Sequence, residues 1–355
     1  MDDHQSTAAF LREQCIRWPG LMPQDLLKAL HQSVFGCGHL LADHAGGLSR
    51  LREEMRYAAV GRGPWAELLD GDFCRVSLGY LRQRGMAPET VMELFALSAE
   101  VPSGSEEEME EKLAVLLDIA EELPFSREEM EQAVEAFRQE GFPVCRHSEM
   151  FRTLYAPAYR VIRREYLWII PLLAAIDRRR GEKRRLVVAL EGGSASGKTT
   201  LAALLQRIYG CTVFHMDDFF LRPEQRTEER LAEPGGNVDR ERFAAEVLAP
   251  LAEGRSVQLV RYDCHSQSLC LPEEVSPTAL TIVEGAYSMH PALAGAYDLT
   301  AFLKISPELQ RQRVLLRNGP EWGERFFSTW IPMEQRYFAA MDPMGRSDIL
   351  LEVQA

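Results

Sequence analysis

The run Glu191-Gly192-Gly193-Ser194-Ala195-Ser196-Gly197-Lys198-Thr199-Thr200 constrains this chain more than any other stretch, because it completes G-x-x-x-x-G-K-T directly behind the apolar segment Leu186 to Leu190. Strand, glycine-rich turn and helix in that order make a phosphate-binding loop in its expected setting. The glycines let the backbone turn tightly, so that successive N–H groups face phosphate oxygens. The helix that follows, expected over Thr199 to Tyr209, adds the positive end of its dipole. Gly192 through Thr200 are therefore expected to cradle a nucleotide's phosphates. Lys198 supplies a mobile positive charge, and the Thr199 hydroxyl is a ligand of the hard-oxygen kind that Mg²⁺ prefers.

The position of this loop also divides the chain. At 355 residues two domains are expected. Behind about Lys183, strand-like runs recur at Leu186 to Leu190, Thr212 to Met216, Val257 to Tyr262, Leu280 to Glu284, Ala301 to Ile305 and Ile349 to Val353. Helical stretches fall between most of them, which is the pattern of an α/β domain whose mostly parallel sheet is flanked by helices. Ahead of it no sustained β-branched run occurs, and helices are expected at Pro23 to Val34, Leu48 to Ala58, Pro88 to Ala99, Glu106 to Glu122 and Arg127 to Glu140. The last two open on Ser-x-x-Glu capping boxes, Ser105 to Glu108 and Ser126 to Glu129. The sequence thus predicts an all-helical domain over residues 1–177, a basic linker over 178–185 and the loop-bearing domain over 186–355.

Formal charge is -13, which argues against a binder of polymeric nucleic acid, whose phosphate contacts need clustered Lys and Arg. The acid lies mainly in the front half, interleaved with apolar residues at helical spacing, as on solvated helix faces. Seven scattered cysteines without a C-x-x-C pair, and no leader-like start, point to a reducing cytoplasm. The apolar stretch Leu167 to Ile176 is too short to span a bilayer and contains Pro171; it predicts a buried helix segment closing the first domain, and no membrane partner.

The second strand ends in His215-Met216-Asp217-Asp218-Phe219-Phe220, and in open parallel sheets ligands collect beyond the carboxyl ends of strands. An aspartate beside a phosphate-binding loop can accept the proton of an attacking hydroxyl or hold Mg²⁺ through water.

With these residues in view, positions of about 185 to 352 resemble the uridine/cytidine kinase branch of P-loop kinases, relatives of pantothenate kinase and phosphoribulokinase. The resemblance implies that Asp217 is the base toward a ribose 5′-hydroxyl, with Phe220 in place of the usual tyrosine. It implies that Asp239, in Asn237-Val238-Asp239, holds the acceptor's hydroxyls, and that Tyr262 and His265 line the base pocket, although the run carrying them is two residues shorter than the family's. Glu284, ending Ile282-Val283-Glu284, would serve Mg²⁺ through a water or orient the substrate. Arg313 and Arg317 would cross over the phosphates from a lid helix, whose usual continuation is replaced by Asn318-Gly319-Pro320.

No such family accounts for the front domain. Two polar clusters stand out in it, Phe35-Gly36-Cys37-Gly38-His39 with Asp43 and His44, and Arg146-His147-Ser148-Glu149 with Arg152, Tyr155, Tyr159 and Arg160. The first matches no standard zinc spacing. In the second, Arg152, Tyr155 and Tyr159 would share one face if they lay on one helix, a face that packs, binds an anion or docks on the kinase domain. The expected function is ATP- and Mg²⁺-dependent phosphoryl transfer to a hydroxyl of a small molecule, first a nucleoside. Two alternatives stand beside it: a different acceptor such as pantothenate, glycerate or a sugar, and a nucleotide-dependent switch that controls the front domain.

Overall fold

The computed structural model describes residues 3–36, 44–60, 63–100 and 104–354. It divides into two compact units, Met1–Ile170 and Pro171–Ala355. Among the described residues no helix is long and apolar enough to cross a membrane.

The front unit carries helices α1 (Asp3–Arg17), α2 (Pro23–Phe35), α3 (His44–Tyr57), α4 (Leu78–Gln83), α5 (Pro88–Glu100), α6 (Glu106–Asp118), α7 (Arg127–Gln139) and α8 (Glu149–Tyr155). Five of these match the helices read from periodicity, to within a turn. Helix α7 opens on the expected capping box, with Ser126 and Glu129 each serving the other's backbone N–H. At α6 only half of it forms: Ser105 accepts from the N–H of Glu108, while the Glu108 carboxylate lies 3.7 Å from Lys112.

The front unit is not all-helical. Strands β1 (Ala66–Leu68), β2 (Phe73–Ser77) and β3 (Tyr159–Arg163) form an antiparallel sheet in that order, with Arg75 opposite Glu67 on one side and Val161 on the other. The third strand comes from far down the chain, so no local run of β-branched residues announces the sheet. Its presence also separates residues expected on one helix. Helix α8 ends at Tyr155, Ala156 turns left-handed (φ 41°) ahead of Pro157, and Tyr159 starts β3. A residue before proline is pushed out of the helical region, which explains the stop.

Helix α9 (Ile170–Glu182) begins at the boundary between the units and carries buried Leu172, Leu173 and Ile176. It also absorbs most of the basic stretch taken as a linker, because nothing in Asp177 to Glu182 breaks a helix except Gly181. Within the second unit Arg180 stacks over the Tyr209 ring, and the Leu173 carbonyl accepts from the Tyr209 hydroxyl.

The second unit is built on β4 (Leu186–Gly192), β5 (Thr212–His215), β10 (Leu280–Glu284), β11 (Leu299–Lys304) and β12 (Ile349–Glu352), with short antiparallel strands β6 (Val257–Leu259), β7 (Tyr262–Asp263), β8 (Ser268–Leu269) and β9 (Glu273–Val275) between. The five long strands are parallel in the order β12-β11-β4-β10-β5. Their near-continuous burial, every residue of β4 but Val187 and all of β10, reflects cover on both faces. The run Val257 to Tyr262, expected as one strand of this sheet, instead divides between two antiparallel pairs, β6 with β9 and β7 with β8.

Helix α10 (Lys198–Tyr209) follows β4, and α11 (Glu228–Ala232), α12 (Arg240–Phe243) and α13 (Ala249–Glu253) lie between β5 and β6. Phe219 meets Phe243 edge to face at 5.0 Å, within an apolar cluster that includes Val283 and Tyr337. Helix α14 (Pro307–Arg325) breaks at Gly319, whose φ of 72° and ψ of 172° are non-helical, just before Pro320; α15 (Ile331–Met341) completes the unit.

Candidate active site

Strand order brings the site together. Central β4 delivers the glycine-rich loop, β10 beside it ends in Glu284, and β5 on the far side of β10 pairs His215 with Glu284. Residues scattered over nearly a hundred positions thus meet at the carboxyl ends of three neighbouring strands, where open parallel sheets bind ligands.

The loop has the backbone its glycines permit. A Cβ on Gly192 would stand 2.6 Å from the Leu303 carbonyl oxygen, and Gly197, with φ 95°, caps α10 in the left-handed region. Lys198 Nζ donates to the carbonyls of Gly192 (2.9 Å) and Gly193 (3.0 Å), so its charge lies over the mouth of the loop. The Thr199 hydroxyl donates to Glu284 Oε1 (3.0 Å), which also faces His215 Nδ1 at 2.6 Å. Its bond to Glu284 holds the His215 imidazole above its ordinary value, against the effect of burial. A buried carboxylate and a hydroxyl in contact are hard-oxygen donors suited to Mg²⁺, which binds through one or two protein oxygens, phosphate and water. Among the described residues no group of three or more His, Cys, Asp or Glu could hold a metal by itself.

Asp217 follows β5 on a single helical turn, Met216–Phe219. Its side chain is open to solvent, yet enough protein surrounds it that lost hydration pushes its carboxyl above the ordinary range. The Lys198 charge opposes that push and Glu284 reinforces it. Neighbouring Asp218 is engaged elsewhere, 3.3 Å from Arg261 Nε.

The other expected residues divide. Asp239 is buried; one of its oxygens accepts from the Arg242 N–H and caps α12, and the other accepts from Gln225 Nε2 at 2.8 Å. The Tyr262 ring is buried and its hydroxyl accepts from Arg226 (2.9 Å). His265 lies exposed in the turn between β7 and β8, next to Cys264, which stands near enough to Asp217 to feel its charge. Arg313 reaches toward the loop, 4.0 Å from where a Gly197 Cβ would be. Arg317, a turn on, lies over the Phe326 ring at 5.5 Å and donates to Asn318. Cys37, Gly38, His39 and Asp43 of the first front cluster lie outside the described residues.

Four residues escaped sequence reasoning. The Glu334 carboxylate, on α15 and 3% exposed, accepts from both the N–H (2.9 Å) and the hydroxyl (2.5 Å) of Ser194. Gln310, on α14, donates to the Ser194 carbonyl at 2.9 Å. The third residue of the loop is thereby held from two helices. Fully buried Glu191 accepts from the N–H groups of Gly192, Tyr287 and Met289, all at 3.0 Å, and from the Tyr337 hydroxyl at 3.2 Å. An acid ending an apolar strand was a signal for Glu191; Glu334, Gln310 and Tyr337 look like ordinary helix residues.

Burial dominates at Glu191. Despite its N–H partners and Lys198, its pKa rises from 4.5 to about 7. A raised folded-state value means that the fold favours the protonated form. The corresponding stability is complete below about pH 4.5 and is lost as pH climbs through about 7. Thermal unfolding of wild type and Glu191→Gln across about pH 5 to 8 should therefore show the wild type losing ground steadily with rising pH, whatever constant offset the amide brings. Parallel curves would mean that Glu191 does not titrate in this range.

A glycine-rich loop after the central strand of a parallel sheet, with acids at the ends of the adjoining strands, is the architecture of a small-molecule P-loop kinase. The uridine kinase of Chloroflexus aurantiacus is 30% identical over 170 residues, 45% of this chain and 78% of that protein. The bifunctional alpha-galactosidase/sucrose kinase of Mediterraneibacter gnavus is 32% identical over 161 residues, covering 39% of this chain and 17% of its own length. A solved structure described as a possible uridine kinase from Bacillus stearothermophilus is 22% identical with a TM-score of 0.38, over 48% of this chain and 89% of that one. No known protein-family profile matches. Over some 45% of its length the chain belongs to the uridine kinase and phosphoribulokinase-like family of P-loop kinases.

Proposed function

We propose that the protein transfers the γ-phosphoryl group of ATP to a hydroxyl of a small molecule, with a nucleoside of the uridine type as the first acceptor. The observation that carries this reading is the convergence of Lys198, Thr199, Glu284 and Asp217 at the ends of three adjacent strands. Phosphoryl transfer asks a protein mainly for position and charge. Backbone N–H groups of the loop and the start of α10, apart from those of Ser194 and Ser196, which bond to Glu334 and Gly193, would receive the phosphates while Lys198 leaves the loop carbonyls for the β/γ oxygens. Thr199 and Glu284 would hold Mg²⁺, which when bound neutralises phosphate charge. Asp217 would orient the acceptor hydroxyl and take its proton; a carboxyl raised toward neutrality is the better base. Arg313, with Arg317 swung from the Phe326 ring, would meet the developing charge with planar donor pairs. Asp239, Tyr262 and His265 would line the acceptor pocket. A cytoplasmic setting accords with this chemistry.

A sugar acceptor is the second reading. It is favoured by the similarity to a sucrose kinase and by the exposed position of His265, which contributes no side-chain hydrogen bond among the described residues. Transfer of label from γ-labelled ATP to uridine, cytidine, purine nucleosides, pantothenate, glycerate and simple sugars separates these readings. Nucleoside monophosphate as the main product supports the first, a sugar phosphate the second, and ATP binding without transfer to any acceptor would leave a nucleotide switch.

A further inference from the structure

The front unit contains a buried polar seam that phosphoryl transfer does not use. Asp25, Lys28 and Gln32 recur along one face of α2 at helical spacing, and Glu67, Arg75 and His147 belong to the same network. Interiors rarely hold so many charged and polar groups, because each is costly to desolvate unless paired, and apolar residues of similar volume are often at least as stable.

The pairing in this seam is lopsided. Its acceptors are saturated. Asp25, 4% exposed, receives the Met22 N–H (2.9 Å), the Ser148 N–H (3.0 Å) and hydroxyl (2.6 Å), and His147 Nδ1 (2.8 Å). Glu67 receives Gln14 (2.8 Å), the Trp18 indole (3.1 Å) and Arg75 Nη1 (3.3 Å). Burial keeps His147 below its ordinary value, so with Nδ1–H on Asp25 its Nε2 accepts from the Tyr159 hydroxyl at 2.6 Å.

The donors are in surplus. Arg75, 4% exposed, spends Nε on Gln32 (2.8 Å) and Nη1 on Glu67, but its Nη2 is enclosed without a partner among the described residues. Among the described residues Lys28 Nζ is committed only to the Cys145 carbonyl (2.6 Å) and keeps further N–H groups. Burial and the Arg75 charge together push the Lys28 amine down to about 8. Two cations crowd one interior in which every carboxylate oxygen is already engaged. The group that would complete such a seam is an acceptor carrying negative charge. Lys28 is only half-buried, so the seam opens to the surface at its end.

We propose that this seam binds a small oxyanion, the carboxylate or phosphate group of a metabolite, between the free Nη2 edge of Arg75 and the Lys28 amine. Such donors are charge-assisted, and the two N–H groups of the Arg75 Nη2 remain to meet the oxygens of such a group. The Asp25–His147–Tyr159 chain fixes the wall beside it, where the Arg75 guanidinium lies 5.0 Å over the Tyr159 ring.

The test uses the full-length chain carrying Lys198→Ala, to weaken anion capture at the kinase loop, with inorganic phosphate and malonate as separate titrants in calorimetry and thermal unfolding. The expected result is saturable binding of at least one, weakened about tenfold or more by Lys28→Met and abolished by Arg75→Lys, which keeps the charge but loses the fork. Tighter binding of phosphate assigns a phosphorylated ligand, and tighter binding of malonate a carboxylate. If Arg75→Lys fails to fold, as loss of its bond to buried Glu67 could cause, the half-buried Lys28→Met still decides. Binding of neither anion, or binding that Lys28→Met leaves unchanged, overturns the proposal.

Discussion

Lys198→Ala is expected to lower phosphoryl transfer at least about a hundredfold, the scale of losing a principal electrostatic group in a transition state. Two effects combine in that loss. The loop forfeits its one side-chain cation, and the carbonyls of Gly192 and Gly193 lose the ammonium that now bonds to both. The Lys198 charge also draws down the pKa values of Glu191, Asp217 and Glu334. Without it all three carboxyls hold their protons to higher pH, so residual activity should need more alkaline conditions than the wild type. Turnover assays across pH, with thermal unfolding to confirm the fold, check both parts. Unchanged turnover would remove the loop from the chemistry.

Asp217→Asn is expected to reduce turnover by about two to four orders of magnitude, the range of a general base, while ATP affinity changes less than about threefold. The split follows from position. Asp217 stands one strand beyond Glu284 and, among the described residues, makes no hydrogen bond to the loop, whereas Thr199 and Glu284 touch each other. Asparagine keeps the shape and can still orient a hydroxyl, but it cannot take the proton. Equal losses in turnover and ATP affinity would instead assign Asp217 to metal binding.

The sequence made the loop legible because its chemistry is local: glycines, lysine and threonine at fixed spacing between a strand and a helix. Asp217 was legible for a related reason, since it follows an apolar strand and ligands collect beyond the carboxyl ends of parallel strands, whereas Glu284 was pointed to by the family resemblance. Glu334 was not, because its partner Ser194 is 140 positions away and nothing local marks one glutamate of α15. The front sheet escaped for the same reason, its third strand closing over β2 only after α4 to α8 have intervened. Spacing placed Tyr159 with Arg152 and Tyr155, until Pro157 redirected the chain and set it opposite Ser77. The run Val257 to Tyr262 had the composition of a sheet strand, but its backbone partners proved to be short neighbouring segments, information that composition does not hold.

The most direct test of the central claim is to incubate the full-length protein with γ-labelled ATP, Mg²⁺ and a pooled set of small hydroxyl-bearing metabolites, and to follow the label. The account predicts label in an acid-stable phosphate ester of a small molecule, formed by the wild type and lost in both Lys198→Ala and Asp217→Asn. Label recovered only as inorganic phosphate, or ester formed equally well by the two variants, would contradict it.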